Sequence, residues 1–221
     1  MMRALLDGRE IDVADGTMRT ALAAAREAAD ALGRVIVEAE LDGQPISNEE
    51  LAEPSAVPGA GREVRFVSAE PRSLVRTTLL EIADLMPRVR EAQLAAASDL
   101  QVGRMQPAFG HLQEAVGIWD ALRRAVQEGP ALLGIGLEQF LVGKPGHDAP
   151  AQGAGTARQG ACEPIVGHVG RLSDLLADLK AAIQAQDWSS LADLLEGELA
   201  DAAERWESIL RDMAAHIAQR R

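Results

Sequence analysis

The chain has 221 residues, 47% of them hydrophobic but only 3% aromatic, with no tyrosine and a formal net charge of −12. A chain this acidic lacks the basic stripe that nucleic acid demands and is repelled by anionic lipid surfaces. The composition therefore argues against both; it favours a solvated acidic surface, with a basic protein partner as the alternative by charge complementarity, while the single cysteine, Cys162, excludes an internal disulfide framework.

The first ten residues are short and charged rather than a signal sequence, and no apolar run approaches the ~20 residues of a spanning helix. A cytoplasmic protein is expected. Residues 2–6 and 10–13 read as strands around Asp7-Gly8, a dipeptide that favours tight hairpins. Residues 17–33 read as a helix with its stripe at Met18, Leu22, Ala25, Ala29 and Leu32, ended by Gly33. Residues 34–41 alternate, with Val35, Val37, Ala39 and Leu41 on one side, before a second tight turn at Asp42-Gly43. Ser47 and Glu50 form a capping-box pattern opening one turn of helix at Leu51. Residues 54–61 are loop, and residues 63–68 are a last strand carrying Val64 and Phe66.

Strand, strand, helix, strand, short strand, helical turn, strand: in this order and length, residues 2–69 resemble a ubiquitin-like β-grasp module. The resemblance implies a small α+β fold that binds partners. Conjugating members of that superfamily act through a terminal Gly-Gly tail, whereas this segment runs on through Glu70-Pro71-Arg72, so neither conjugation nor sulfur transfer is carried over. The alternative is another small α/β module with a different strand order.

The rhythm changes near residue 70, which predicts two domains, residues 1–70 and residues 72–221. The second contains four apolar stripes at three- and four-residue spacing, the mark of a mainly antiparallel four-helix bundle. They run through Val75, Leu79, Ile82, Met86, Val89, Ala96 and Leu100; then Phe109, Leu112, Val116, Trp119 and Val126; then Ile165, Val169, Leu172, Leu176, Leu179 and Ile183. The fourth runs from Leu191 through Leu195, Leu199, Ala202, Trp206, Ile209 and Met213 to Ile217. Ser73, Pro107, Pro164 and Asp187 mark helix starts, and Gly129-Pro130 marks the end of the second helix. Pro87 inside the first stripe predicts a kink or a break. Residues 131–142 suggest a short packing helix, and residues 144–163 a flexible linker rich in Gly, Ala, Pro and Gln.

No catalytic constellation emerges. None of His111, His147, His168 and His216 has an acid three residues before it, so the Glu-x-x-His pairs of di-iron bundles are missing and no metal or cofactor is expected. Gly153, Gly155 and Gly160 do not follow a strand, and Gly143-Lys144 is followed by Pro145 rather than a hydroxyl residue, which leaves phosphate cradling unsupported. Glu196, Glu198 and Asp201 are what any polar helix face shows. Three residues remain as candidates. Gln93 and Arg123 fall at seam positions and are candidate buried polar groups, which cost energy unless satisfied. Trp119 and Trp206 belong to seams and to the core, whereas Trp188 begins the last helix and is the candidate partner-binding anchor.

The stretch Asp187-Trp188, residues 191–199 and Trp206 resembles segments of bacterial helical-bundle proteins, and the acidic, aromatic-poor composition is similar to export chaperones of flagellar and related secretion systems. Acidity, two modules, a flexible linker and the lack of catalytic motifs favour a non-catalytic adaptor or chaperone acting on a protein partner. The alternatives are a small-ligand binder or enzyme with a pocket in the bundle or between the modules, and a self-associating homo-oligomer.

Overall fold

The computed structural model describes residues 2–54, 61–142 and 163–219. The fold is α+β, in two units, Met1–Leu74 and Val75–Arg221. The first is organised by its two Asp-Gly turns. Asp7 and Asp42 both take positive φ (49° and 52°), and Gly8 and Gly43 follow at 79°, the backbone that a two-residue hairpin twisted with its strands requires. They join β1 (Arg3–Leu6) to β2 (Arg9–Ile11) and, after α1 (Met18–Asp30), β3 (Val35–Leu41) to β4 (Gln44–Pro45). A short α2 (Asn48–Ala52) precedes β5 (Glu63–Ala69). Ser47 and Glu50 close the capping box at the start of α2.

The five strands form one mixed sheet in the order β2-β1-β5-β3-β4. β1 and β5 are parallel; the other pairs are antiparallel. The core lies between one face of the sheet and α1, where Met18, Ala21, Leu22, Ala25 and Ala29 pack against Ala4, Leu6, Val64 and Phe66. Two expectations are corrected. Leu32 lies beyond the end of α1 and is 65% exposed. Val37 also points away from the core: the ladder steps from Ile36↔Ser68 to Glu38↔Val67, so Val37 is the extra residue of a bulge. The bulge moves the inward face of β3 onto Ile36, Ala39 and Leu41.

The second unit carries α3 (Pro71–Gln101, whose first turn lies before the boundary), α4 (Met105–Leu132), α5 (Ile165–Ala185), α6 (Trp188–Glu196) and α7 (Glu198–Gln219). Between α4 and α5, a 3-10 turn at Leu137–Gln139 leads to β6 (Leu141–Val142), which pairs with β7 (Glu163–Pro164). This turn stands where a packing helix was expected. The linker expected at residues 144–163 lies outside the described residues but for Glu163, as do Cys162, His147 and the glycines at 143, 153, 155 and 160.

Several boundaries differ from those read in the sequence. α3 begins at Pro71, not Ser73, because the Leu74 N–H already bonds the Glu70 carbonyl at 3.0 Å. It runs unbroken through Pro87, since apolar residues on both sides of the proline are buried and hold the helix. α4 passes through Gly129-Pro130 and stops only where Gly134 turns left-handed, at φ 65°. Gly129 belongs to the packing instead: a Cβ there would meet Val75 Cγ1 at 2.8 Å. The fourth stripe is two helices. Gly197, with φ −96° and ψ −98°, ends α6 tight against the Asp193 carbonyl, and its own carbonyl starts α7 by accepting from Asp201 N at 3.0 Å.

The seam of α4 also shifts. Phe109 and Val116 are exposed, while Ala108, Leu112, Ala115, Trp119, Leu122 and Val126 are buried. Two clusters result. The larger gathers Trp119 and Trp206 with residues of α3, α5 and α7. The smaller joins Ala96, Leu112, Leu179, Leu191, Leu195 and Leu199.

Candidate functional site

Gln93 is 1% exposed, in the middle of α3. With its amide turned to suit both neighbours, its oxygen accepts from Trp119 Nε1 at 2.9 Å and its nitrogen donates to the Leu199 carbonyl at 3.2 Å. One side chain thus ties α3 to α4 and to the first turn of α7, and it satisfies the indole N–H that burial of Trp119 would otherwise orphan. These bonds are spent inside the protein, so Gln93 is a structural tie. Arg123 is not buried. Its side chain is 48% exposed and lies 3.4 Å from Asp120, one turn back on α4. It leaves the seam because Leu122 occupies the inward position of that turn.

Trp188 is half-buried at the first position of α6. Asp187 caps that helix, accepting from Ser190 N at 3.1 Å and Ser190 Oγ at 2.8 Å. These two bonds, the backbone one foremost, hold the Asp187 carboxyl below its ordinary range. The rings of Trp188 and Phe109 of α4 meet in a T-shaped contact, centroids 5.7 Å apart and planes at 85°. The pair, with Met105 and Trp188 packed on the smaller cluster, places an exposed aromatic edge at one end of the helices.

The histidines do not converge. His111 Nε2 lies 3.8 Å from Asp99, a buried carboxylate that also holds Arg104 at 2.6 Å and so braces the α3–α4 turn. His168 Nδ1 is 3.1 Å from Arg171 Nη2. His216 packs on Phe140 at 5.1 Å. Among the described residues, no group of three or more His, Cys, Asp or Glu side chains could hold a metal ion, and no helix is long and apolar enough to cross a membrane.

A groove of about 350 Å³ runs between α5 and α7. Leu172, Leu175, Ala202 and Trp206 make its floor. Asp174 and Asp178 of α5 face it from one wall, Glu198 and Asp201 of α7 from the other, with Arg171 and Arg205 along the rim. Arg205 Nε donates to the Asp201 backbone carbonyl at 3.3 Å rather than to its carboxylate. The sequence did not single out Asp174 and Asp178. The available signal was their four-residue spacing, which sets two like charges one above the other beside a seam.

Compared with known proteins, the chain matches no family model, no curated protein and no solved structure.

Proposed function

We propose that this is a non-catalytic adaptor or chaperone, cytoplasmic and bacterial, that binds a protein partner through its helical unit with Trp188 as anchor. The observation that carries the reading is the Phe109–Trp188 pair. A large aromatic side chain fixed by a neighbour and by a capped helix start loses little freedom on binding, which is the usual character of an interface anchor. The finer architecture belongs to the same proposal. The first unit is a β-grasp module, a reading supported by the β2-β1-β5-β3-β4 order, the parallel β1–β5 pair and the turn of helix before β5. The second is an antiparallel four-helix bundle whose last member is α6 and α7 taken together. Acidity and helical build keep the likeness to secretion-system export chaperones within this proposal.

Purification from the source organism tests the reading. The native chain is expected to hold a stoichiometric protein partner that the Phe109→Ala, Trp188→Ala double variant releases while its thermal unfolding stays close to native. A partner retained in full by the double variant would remove Trp188 from the interface, and clean isolation of the native chain alone across salt conditions would remove the adaptor reading.

A further inference from the structure

We infer that the groove between α5 and α7 is the seat for a basic amphipathic segment of the partner protein, lysines or arginines meeting Asp174 and Asp178 and an apolar side chain entering over Leu175. The inference rests on the adaptor reading and names the chemistry of what is bound. Three observations carry it. First, the groove joins an apolar floor to carboxylate walls, which suits a cation on an aliphatic stem better than a bare cation or a bare apolar face. Second, although Arg171 and Arg205 line the same groove, the carboxylates of Asp174, Asp178, Glu198 and Asp201 make no ion pair or side-chain hydrogen bond among the described residues. Acids in the first turn of a helix are favoured by its dipole, and that accounts for Glu198 and Asp201. It does not account for Asp174 and Asp178, which stand mid-helix in α5, four residues apart, and repel one another. Third, their separation along the axis is ~6 Å, the same as that of lysines four residues apart on a partner helix.

Charge also identifies whose segment this is. A second copy brings another −12. The part of this chain through Pro71 carries fourteen acids and seven bases, and the rest twenty and fifteen. Both parts are net negative, so charge complementarity favours a different, basic protein as the occupant.

The test uses the full chain and a peptide of about fifteen residues, leucines on one helical face and lysines on the other, titrated by calorimetry and by tryptophan fluorescence, Trp206 being in the floor. The Asp174→Asn, Asp178→Asn variant is expected to bind the peptide at least about tenfold more weakly. A Glu81→Gln, Glu128→Gln control, which removes equal charge from exposed positions on α3 and α4, is expected to stay within about threefold of native. Equal weakening in the control would reduce the effect to diffuse acidity and overturn the inference. So would native-like binding of the matching leucine–glutamate peptide, or spermidine binding as tightly as the peptide, which would make this a small polycation site. No binding of the lysine peptide overturns it too. If the groove fails while the Phe109→Ala, Trp188→Ala variant still releases the partner, the adaptor reading stands without it.

Discussion

Negative charge works in opposite ways in the first unit and in the α5–α7 groove of the second, although Asp187 and Asp99 of the second unit are structural too. In the first, aspartates build the fold. Asp7, within the β1–β2 turn, accepts from the Ser68 N–H at 2.8 Å and from its hydroxyl, with Arg34 at 3.8 Å. Asp42, within the β3–β4 turn, accepts from the Glu63 N–H and from Arg62, each at 2.8 Å. The two Asp-Gly turns thereby clasp the opposite ends of β5. Asp15 does similar work at the start of α1, accepting from the Thr17 N–H at 3.1 Å. In the groove of the second unit, four carboxylates accept from no donor among the described residues. An acidic composition is therefore not one property: part of it holds the backbone together, and part of it lies open to solvent along the groove.

The second unit has its own answered polar group, Gln93, and the contrast is broken most forcefully there. Replacing it with alanine leaves a cavity and an indole N–H of Trp119 with no acceptor, a loss of about 2–4 kcal/mol. Tryptophan fluorescence during denaturation measures it, because all three tryptophans lie in this unit. A loss below about 0.5 kcal/mol would mean that answered and unanswered groups matter equally little here.

Asp7→Asn comes next. The amide keeps the turn but trades a charged acceptor for a neutral one opposite Ser68 and Arg34, costing about 1 kcal/mol once solvent screening is counted. Amide exchange along β5 is the measurement, and it should quicken there while α5 is unaffected.

Acid provides a graded version of the same experiment. The carboxyls of Asp7, Asp15 and Asp42 all sit below their ordinary range, owing first to the Ser68 hydroxyl, the Thr20 hydroxyl and the Glu63 backbone N–H respectively. A folded-state pKa below the unfolded one means more protons bound when unfolded. The stability these groups add is thus complete above pH ~4 and fades as the pH falls through their lower folded values. Exchange along β5 should accelerate over that window relative to the intrinsic chemical rate. In an Asp7→Asn, Asp42→Asn variant that acid dependence should shrink.

How much of this was legible depended on whether the deciding interaction was local. The Asp-Gly turns were readable because positive φ is a demand on one or two residues. The seam of α3 was readable because Val75, Leu79, Ile82, Met86 and Val89 form an uninterrupted row at three- and four-residue spacing, and all five are buried. The seam of α4 was not, because two apolar rows lie side by side. Phe109 and Val116 outweigh Ala108 and Ala115 in hydrophobicity, yet close approach of the neighbouring helices selects the alanines. That choice put Arg123 outside and made Phe109 available to Trp188. The bulge at Val37 is set by strand register, a contact between distant parts of the chain, and the break falls at Gly197, whose backbone leaves the helical range. Trp188 could be suspected from its place at a helix start, whereas its ring partner and the meeting of α5 with α7 over the groove are tertiary facts with no short-range signature.

The smallest predicted effect is the sharpest. Asp174→Asn with Asp178→Asn, in the protein alone, should leave stability unchanged or raise it by roughly 0.2–0.5 kcal/mol, the relief of one like-charge pair four residues apart on a helix. The denaturation midpoint read by tryptophan fluorescence resolves a change of that size when native and variant are run together. Its sign is what matters. A gain means the chain keeps two aspartates that work against its own helix, which folding alone does not explain. A loss of 1 kcal/mol or more, on the order of one hydrogen bond, would mean these carboxylates are already answered within the fold, and the difference between the two units would vanish.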